Sequence, residues 1–217
     1  TFTPGVSSSI VFNSANTDQT RRAEVNAYVQ ANVVRDMVIT ALPTYPTIAN
    51  QFEGGAGGLF RVNVAVAGTC NAFYDGSSIN FYNSGGGCNN TAFYDVVHHE
   101  YGHHAVSTGG SGQGQYGEGM GDCMGDLLSD QPVLVYGIQS CASGIRNANN
   151  TKQYPQNGEI HDAGQLISGC LWSTRNAVVA AAVPNYSTAL KRLTINANVL
   201  HRGTNITPQI TIDWLTI

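Results

Sequence analysis

Charge is scarce in this chain. Asp, Glu, Lys and Arg make up 11% of its 217 residues, about half the usual share. The 10 Lys and Arg are scattered and the net charge is −4, so no basic surface is expected and nucleic acid is not an expected partner. No run of 18 apolar residues occurs, so no membrane span is expected. No two of the five cysteines form a C-x-x-C pair, which argues against a cysteine zinc site. An initiator Met and a signal-peptide pattern are also missing at Thr1. The expectation is a mature or excised domain whose leader is gone, with room for other domains in a longer precursor.

What is present is a hydrophobic content of 42%, enough to bury a core in a single domain spanning 1–217. Polarity comes from Asn, Ser, Thr and Gly, a composition that leans toward a secreted, extracellular hydrolase. The cysteines are Cys70, Cys88, Cys123, Cys141 and Cys170. They fit an oxidising compartment with two bridges and one free thiol. Cys70 and Cys88 flank a predicted hairpin and can close it. Cys123 with Cys141 is the second candidate pair, and five buried reduced thiols is the competing reading.

Residues 17–42 read as a helix. Asp18 can cap it, and apolar residues recur at Ala23, Val25, Ala27, Val29, Val33, Val34, Met37 and Val38 before Pro43 and Pro46 end it. After a Gly-rich loop at 54–58, residues 59–67 alternate as a strand, and 71–74 and 78–82 form two strands around Asp75-Gly76. A helix opens at Asn90 or Thr91 and runs to Ser107, stopped by Gly109-Gly110. Residues 118–128 form the next helix, and its glycines imply close packing against a neighbour. Residues 137–158 read as irregular. Helices follow at 160–182 and 187–200, and a short one begins at Thr207 or Pro208. This order predicts an α+β fold. Its N-terminal lobe at 1–108 carries the sheet, and a mainly helical C-terminal lobe covers 109–217.

The chemistry concentrates in His98-His99-Glu100-Tyr101-Gly102-His103-His104. Residues i and i+4 share a helix face, so His99 and His103 can aim two imidazoles at one ion. Glu100, one step round, can reach a water on that ion without ligating it. This is the H-E-x-x-H arrangement, and only this pair of histidines has it. A catalytic zinc needs a third protein ligand and an open position. Val106 and Gly109 stand where a metzincin needs Gly and His, which excludes that route. Glu118, 15 residues after His103, sits beyond a glycine-rich turn at 107–114 and is the candidate third ligand. Asp122, one turn on, can accept the free N–H of His99.

These motifs resemble the gluzincin metallopeptidases, specifically the thermolysin and fungalysin families, from about Tyr28 onward. Asp95 to His103 resembles their zinc helix, and Gly117-Glu118-Gly119-Met120-Gly121-Asp122 the third-ligand segment. Asn71-Ala72-Phe73-Tyr74-Asp75-Gly76 resembles the edge strand of the cleft, whose Asn and Ala bind the substrate backbone. Gly144-Ile145-Arg146-Asn147 resembles the segment whose Arg binds a substrate carbonyl, and Gly158-Glu159-Ile160-His161 the one supplying the oxyanion His. The resemblance implies a zincin-like, thermolysin-type fold and a secreted zinc endopeptidase acting on protein or peptide substrates. His99, His103 and Glu118 would bind Zn2+, Glu100 would be the base, and His161 would stabilise the oxyanion.

The chain also departs from that pattern. The stretch before Asn71 and the loop between Arg146 and His161 are short. Gln156 stands where a thermolysin-type enzyme has an acidic residue five before its oxyanion His. The family's catalytic Tyr has no counterpart; Tyr116 lies too close to Glu118 to match it, though near enough to approach the cleft. Asp95 matches a Ca2+ position, but the accompanying acidic cluster is missing, so no clear calcium site is expected. Three other readings stand beside the endopeptidase: an inactive zinc-binding adhesion domain on a peptidase scaffold, a self-assembling extracellular module, and an exopeptidase. The intact Glu100 and zinc motif argue against the first two. The lack of an acidic motif for a free amino terminus argues against the third.

Overall fold

A computed structural model describes residues 14–52, 54–140 and 142–217. Among them the order is α1 (Gln19–Ala41), a 3-10 turn (Ile48–Asn50), β1 (Arg61–Val66), β2 (Ala72–Tyr74), β3 (Ser78–Tyr82), α2 (Tyr94–Gly109) and α3 (Gly114–Ser129). Then come β4 (Val133–Leu134), β5 (Arg146–Asn147), α4 (Ile160–Ala180), α5 (Tyr186–Leu200) and α6 (Pro208–Thr216). Helices dominate and the sheets are small, an α+β arrangement. No helix among the described residues is long and apolar enough to cross a membrane.

Asp18 caps α1 by accepting the Arg21 N–H at 3.1 Å. The buried face of this helix is Ala23, Ala27, Ala31, Val34 and Val38. Val25, Val29 and Val33 share the apolar periodicity, yet they are 55%, 45% and 39% exposed. The alanine face wins because short side chains let α1 lie close on α2 and β1, the elements it packs against.

The three-stranded sheet has the order β1-β3-β2, with β1 parallel and β2 antiparallel to β3. Asp75 shapes the β2–β3 turn: its Oδ1 accepts the N–H groups of Ser77 (2.8 Å) and Ser78 (2.7 Å). Cys70 and Cys88 form a disulfide around this hairpin, which overturns the reading of five reduced thiols. Cys123 and Cys170 are free. Cys123, expected to form the second bridge, is thus a free thiol buried in α3; its expected partner Cys141 lies outside the described residues.

Helix α2 begins at Tyr94 rather than at residue 90 or 91. Asn90 and Thr91 are committed elsewhere. The Thr91 hydroxyl accepts the Tyr82 N–H (2.8 Å) and donates to the Asn71 carbonyl (2.9 Å), and Asn90 Oδ1 accepts the Ala92 N–H. The Thr91 bonds tie the hairpin to the helix start. Gly110, with φ 96°, caps the other end. α3 starts a turn earlier than expected. The segment read as irregular contributes β5, which pairs antiparallel with β4.

Glycine sets how closely α3 is approached. A Cβ on Gly102 of α2 would lie 2.7 Å from Gly121 Cα, and a Cβ on Gly119 would lie 2.6 Å from the Gly164 carbonyl oxygen of α4. α3 is thus sandwiched at backbone distance between α2 and α4. Gly102→Ala should destabilise the protein in urea unfolding. The overpacking cost of about 1–3 kcal/mol falls on backbone, and it exceeds the roughly 0.5–1 kcal/mol alanine gains in helix propensity. An unchanged or raised midpoint would show that the helices separate without penalty.

Candidate metal centre

His99 and His103 project from one face of α2, and Glu118 meets them from α3; all three are buried. His99 Nε2 lies 3.1 Å from His103 Nε2 and 3.2 Å from Glu118 Oε2, and His103 Nε2 lies 3.6 Å from Glu118 Oε1. Bonds of about 2.0–2.1 Å to a tetrahedral ion give ligand separations of roughly 3.3 Å, the spacing seen here.

The outer partners decide which ring nitrogens face inward. His99 Nδ1 lies 2.9 Å from Asp122 Oδ1, and His103 Nδ1 lies 2.7 Å from Gln113 Oε1. Both acceptors require an N–H on Nδ1, which leaves the lone pair on each Nε2. The two Nε2 atoms and the Glu118 carboxylate then converge on one point. Glu118 Oε2 is buried without a hydrogen-bond donor. Such a constellation fits a bound cation, and His99, His103 and Glu118 are the one group of possible metal ligands among the described residues. Gly121 makes it possible, since a Cβ there would lie 2.7 Å from His99 Nδ1.

Around these atoms a cleft of about 680 Å³ is lined by Asn71, Ala72, Phe73 and Tyr74 on one side and by Glu159, His161 and Gln165 on another. Glu100 lines it too. Burial, reinforced by the Glu118 charge, pushes its carboxyl up to about 7, although His99, Arg146 and His161 pull the other way. Burial also opposes ionisation of Glu118, but the adjoining rings, His99 foremost, hold it down at about 2. Arg146 on β5 reaches back to Asp122, with Nε 3.0 Å and a terminal nitrogen 2.8 Å from Oδ1. His161, at the start of α4, places Nε2 3.3 Å from Glu118 Oε2.

The structure thus gathers His99, Glu100, His103, Glu118, Asn71, Ala72, Arg146 and His161 about one cleft, with Asp122 buried against His99 and Arg146. The flanking histidines point elsewhere. His98 Nε2 lies 2.8 Å from Gln30 Oε1, His104 Nε2 lies 2.8 Å from Gln51 Oε1, and the His104 ring stacks on Phe60. Burial lowers both rings to about 4, so they are neutral. Tyr116, expected near the cleft, is instead fully buried with its hydroxyl 3.4 Å from Asn198 Oδ1, because that side of α3 packs toward α5. Asp95 accepts the Tyr136 and Val96 N–H groups at 2.7 and 3.0 Å, a structural anchor with no calcium cluster around it among the described residues.

Sequence reasoning did not single out Gln113, Glu159 or Asp126. Gln113 lies in the turn between the helices, where no periodicity marks it. Glu159 could have been found from its place two residues before His161. Asp126 stands one turn beyond Asp122. Its carboxyl is buried with neither oxygen hydrogen-bonded, and burial together with the Asp122 charge pushes its pKa well above the carboxylate range.

Compared with known proteins, the chain matches no family model and no curated protein.

Gln113→Ala should weaken metal binding by roughly 10–100-fold, measured by competition with a chromophoric chelator; unchanged affinity would show that His103 needs no outer partner. Asp126 gives a pH-dependent expectation. A carboxyl whose folded pKa is raised contributes stability that is complete below its unfolded value near 4 and is lost as pH rises. Asp126→Asn should therefore raise the melting temperature at pH 7 more than at pH 4. An equal effect at both would show that Asp126 ionises in the folded protein as it does unfolded.

Proposed function

We infer that the protein is a zinc-dependent endopeptidase with a thermolysin-type fold, working outside the cell. The observation that carries this reading is the convergence of His99 Nε2, His103 Nε2 and Glu118 with the Glu100 carboxyl beside them in an open cleft. Two imidazoles and a carboxylate are a donor set suited to catalytic zinc. When bound, zinc supplies Lewis acidity, which makes water nucleophilic near neutral pH.

The remaining chemistry belongs to side chains of this chain. A peptide laid in the cleft extends the sheet at β2, the edge strand after Asn71, and meets it through backbone hydrogen bonds. Arg146, fixed by Asp122, holds a carbonyl of that peptide. Glu100 takes a proton from the attacking water and passes it to the leaving amine, a task suited to a carboxyl near 7. His161 donates from Nε2 to the oxygen where negative charge develops. One such donor is worth about 10²–10³ in rate.

Cleavage within a chain, rather than at its end, is favoured because the acidic groups on the rim are occupied. Glu159 caps α4 and Asp162 pairs with Lys152 at 2.8 Å, so neither is placed to grip a free amino terminus. The Cys70–Cys88 disulfide supports an oxidising compartment.

Elemental analysis with a casein-cleavage assay tests the reading. The expectation is about one zinc per chain, with cleavage abolished by 1,10-phenanthroline. Glu100→Gln should keep the zinc and lose about 10²–10⁴ in turnover. No zinc under metal-replete conditions would overturn the assignment, and zinc without cleavage in the unaltered protein would make it a non-catalytic metal-binding domain.

A further inference from the structure

Glu159 makes an unusual helix cap. Its Oε2 accepts the N–H groups of His161 (3.0 Å) and Asp162 (3.1 Å), satisfying two open donors at the start of α4. Its Oε1 meets His161 Nδ1 at 2.5 Å. One carboxylate therefore holds both the backbone and the ring of His161. Capping alone does not call for glutamate, since Ser, Asp and Asn cap better with shorter side chains. The added methylene is what lets the second oxygen reach the imidazole while the first stays on the backbone.

The ring needs such a hold. The His161 side chain is 48% exposed, so packing does little to select its rotamer. Gln156, five residues earlier, does not supply the hold: its amide donates to the Gln153 carbonyl and its own carbonyl accepts from Gln115. With Nδ1 directed at the cap, the opposite nitrogen must face the cleft, and it lies 3.3 Å from Glu118 Oε2.

We propose that Glu159 is a positioning residue that turns the His161 ring so that Nε2 points at the reacting oxygen of the substrate. The catalytic consequence rests on the endopeptidase reading; the hold on the ring does not. It acts through a proton on Nδ1 that the carboxylate accepts, and through a backbone anchor that keeps the carboxylate from following the ring into solvent.

The test separates capping from positioning. Glu159→Ser and Glu159→Asn keep a competent cap but cannot reach the ring, so the melting temperature should stay close to that of the unaltered protein. Long-range proton–nitrogen correlation spectra of the imidazoles are recorded at pH 8 on the protein as purified, with His161 assigned by its loss in His161→Ala. Nδ1 should carry a proton in the unaltered protein and give it up in favour of Nε2 in both variants. In peptide cleavage, kcat should fall by up to about 10² with KM little changed, and adding His161→Ala to Glu159→Ser should cost nothing beyond His161→Ala alone. A proton that stays on Nδ1 in the variants, or losses that simply multiply in the double variant, would overturn the proposal. Redistribution of the proton in a protein that cleaves nothing would uphold the hold on the ring and remove the peptidase reading instead.

Discussion

The contact on which the rest depends is the approach of α2 and α3 across Gly102 and Gly121. A Cβ at either position would lie 2.7 Å from an atom of the facing helix, so the helices meet at backbone distance. That closeness brings Glu118 within 3.2 Å of His99 Nε2 and lets Asp122 reach Nδ1 of the same ring. With longer side chains at the crossing, ligands from one helix and the carboxylates of the other would stand too far apart to share an ion. The same closeness excludes water, and this is what lifts the Glu100 carboxyl to about 7.

Around this core, the side chains of the cleft are held by groups from several places in the fold. The turn between the helices contributes Gln113 to His103, β5 contributes Arg146 to Asp122, and the cap of α4 contributes Glu159 to His161. Thr91 ties the Asn71 carbonyl to the start of α2, so the cleft wall and the helix carrying His99 and His103 are linked through one hydroxyl. An arrangement in which the outer partners come from several elements keeps the inner ones fixed without strain in any single loop. The endopeptidase reading draws on this organisation as well as on the donor set.

Local patterns made much of this legible beforehand. The i,i+4 spacing marks His99 and His103 as co-facial wherever their helix packs, and the same spacing relates Glu118 to Asp122. The hairpin at Asp75-Gly76 was legible because turn chemistry is carried by neighbouring residues. The face of α1 was not. Its valines and alanines offer two apolar stripes, and only contact with α2 and β1 selected the alanines. The start of α2 was misread because Asn90 and Thr91 have capping side chains, yet Thr91 is spent on the hairpin, a partner remote in sequence, and Asn90 on the Ala92 N–H before the helix begins.

The amino-acid sequence by itself determined which side chains could act together on one helix, because a helical turn repeats at a fixed period and needs no other element. It also determined the chemical character of the centre, two imidazoles with an adjacent carboxylate. Tertiary structure alone decided that Glu118 completes the group and that His98 and His104 do not take part. It also decided that Gln113 meets the His103 ring, Arg146 the Asp122 carboxylate and Glu159 the His161 ring. Those outcomes depend on distances between helices, which are set by how side chains, and here the lack of them at glycine, pack across a long-range interface.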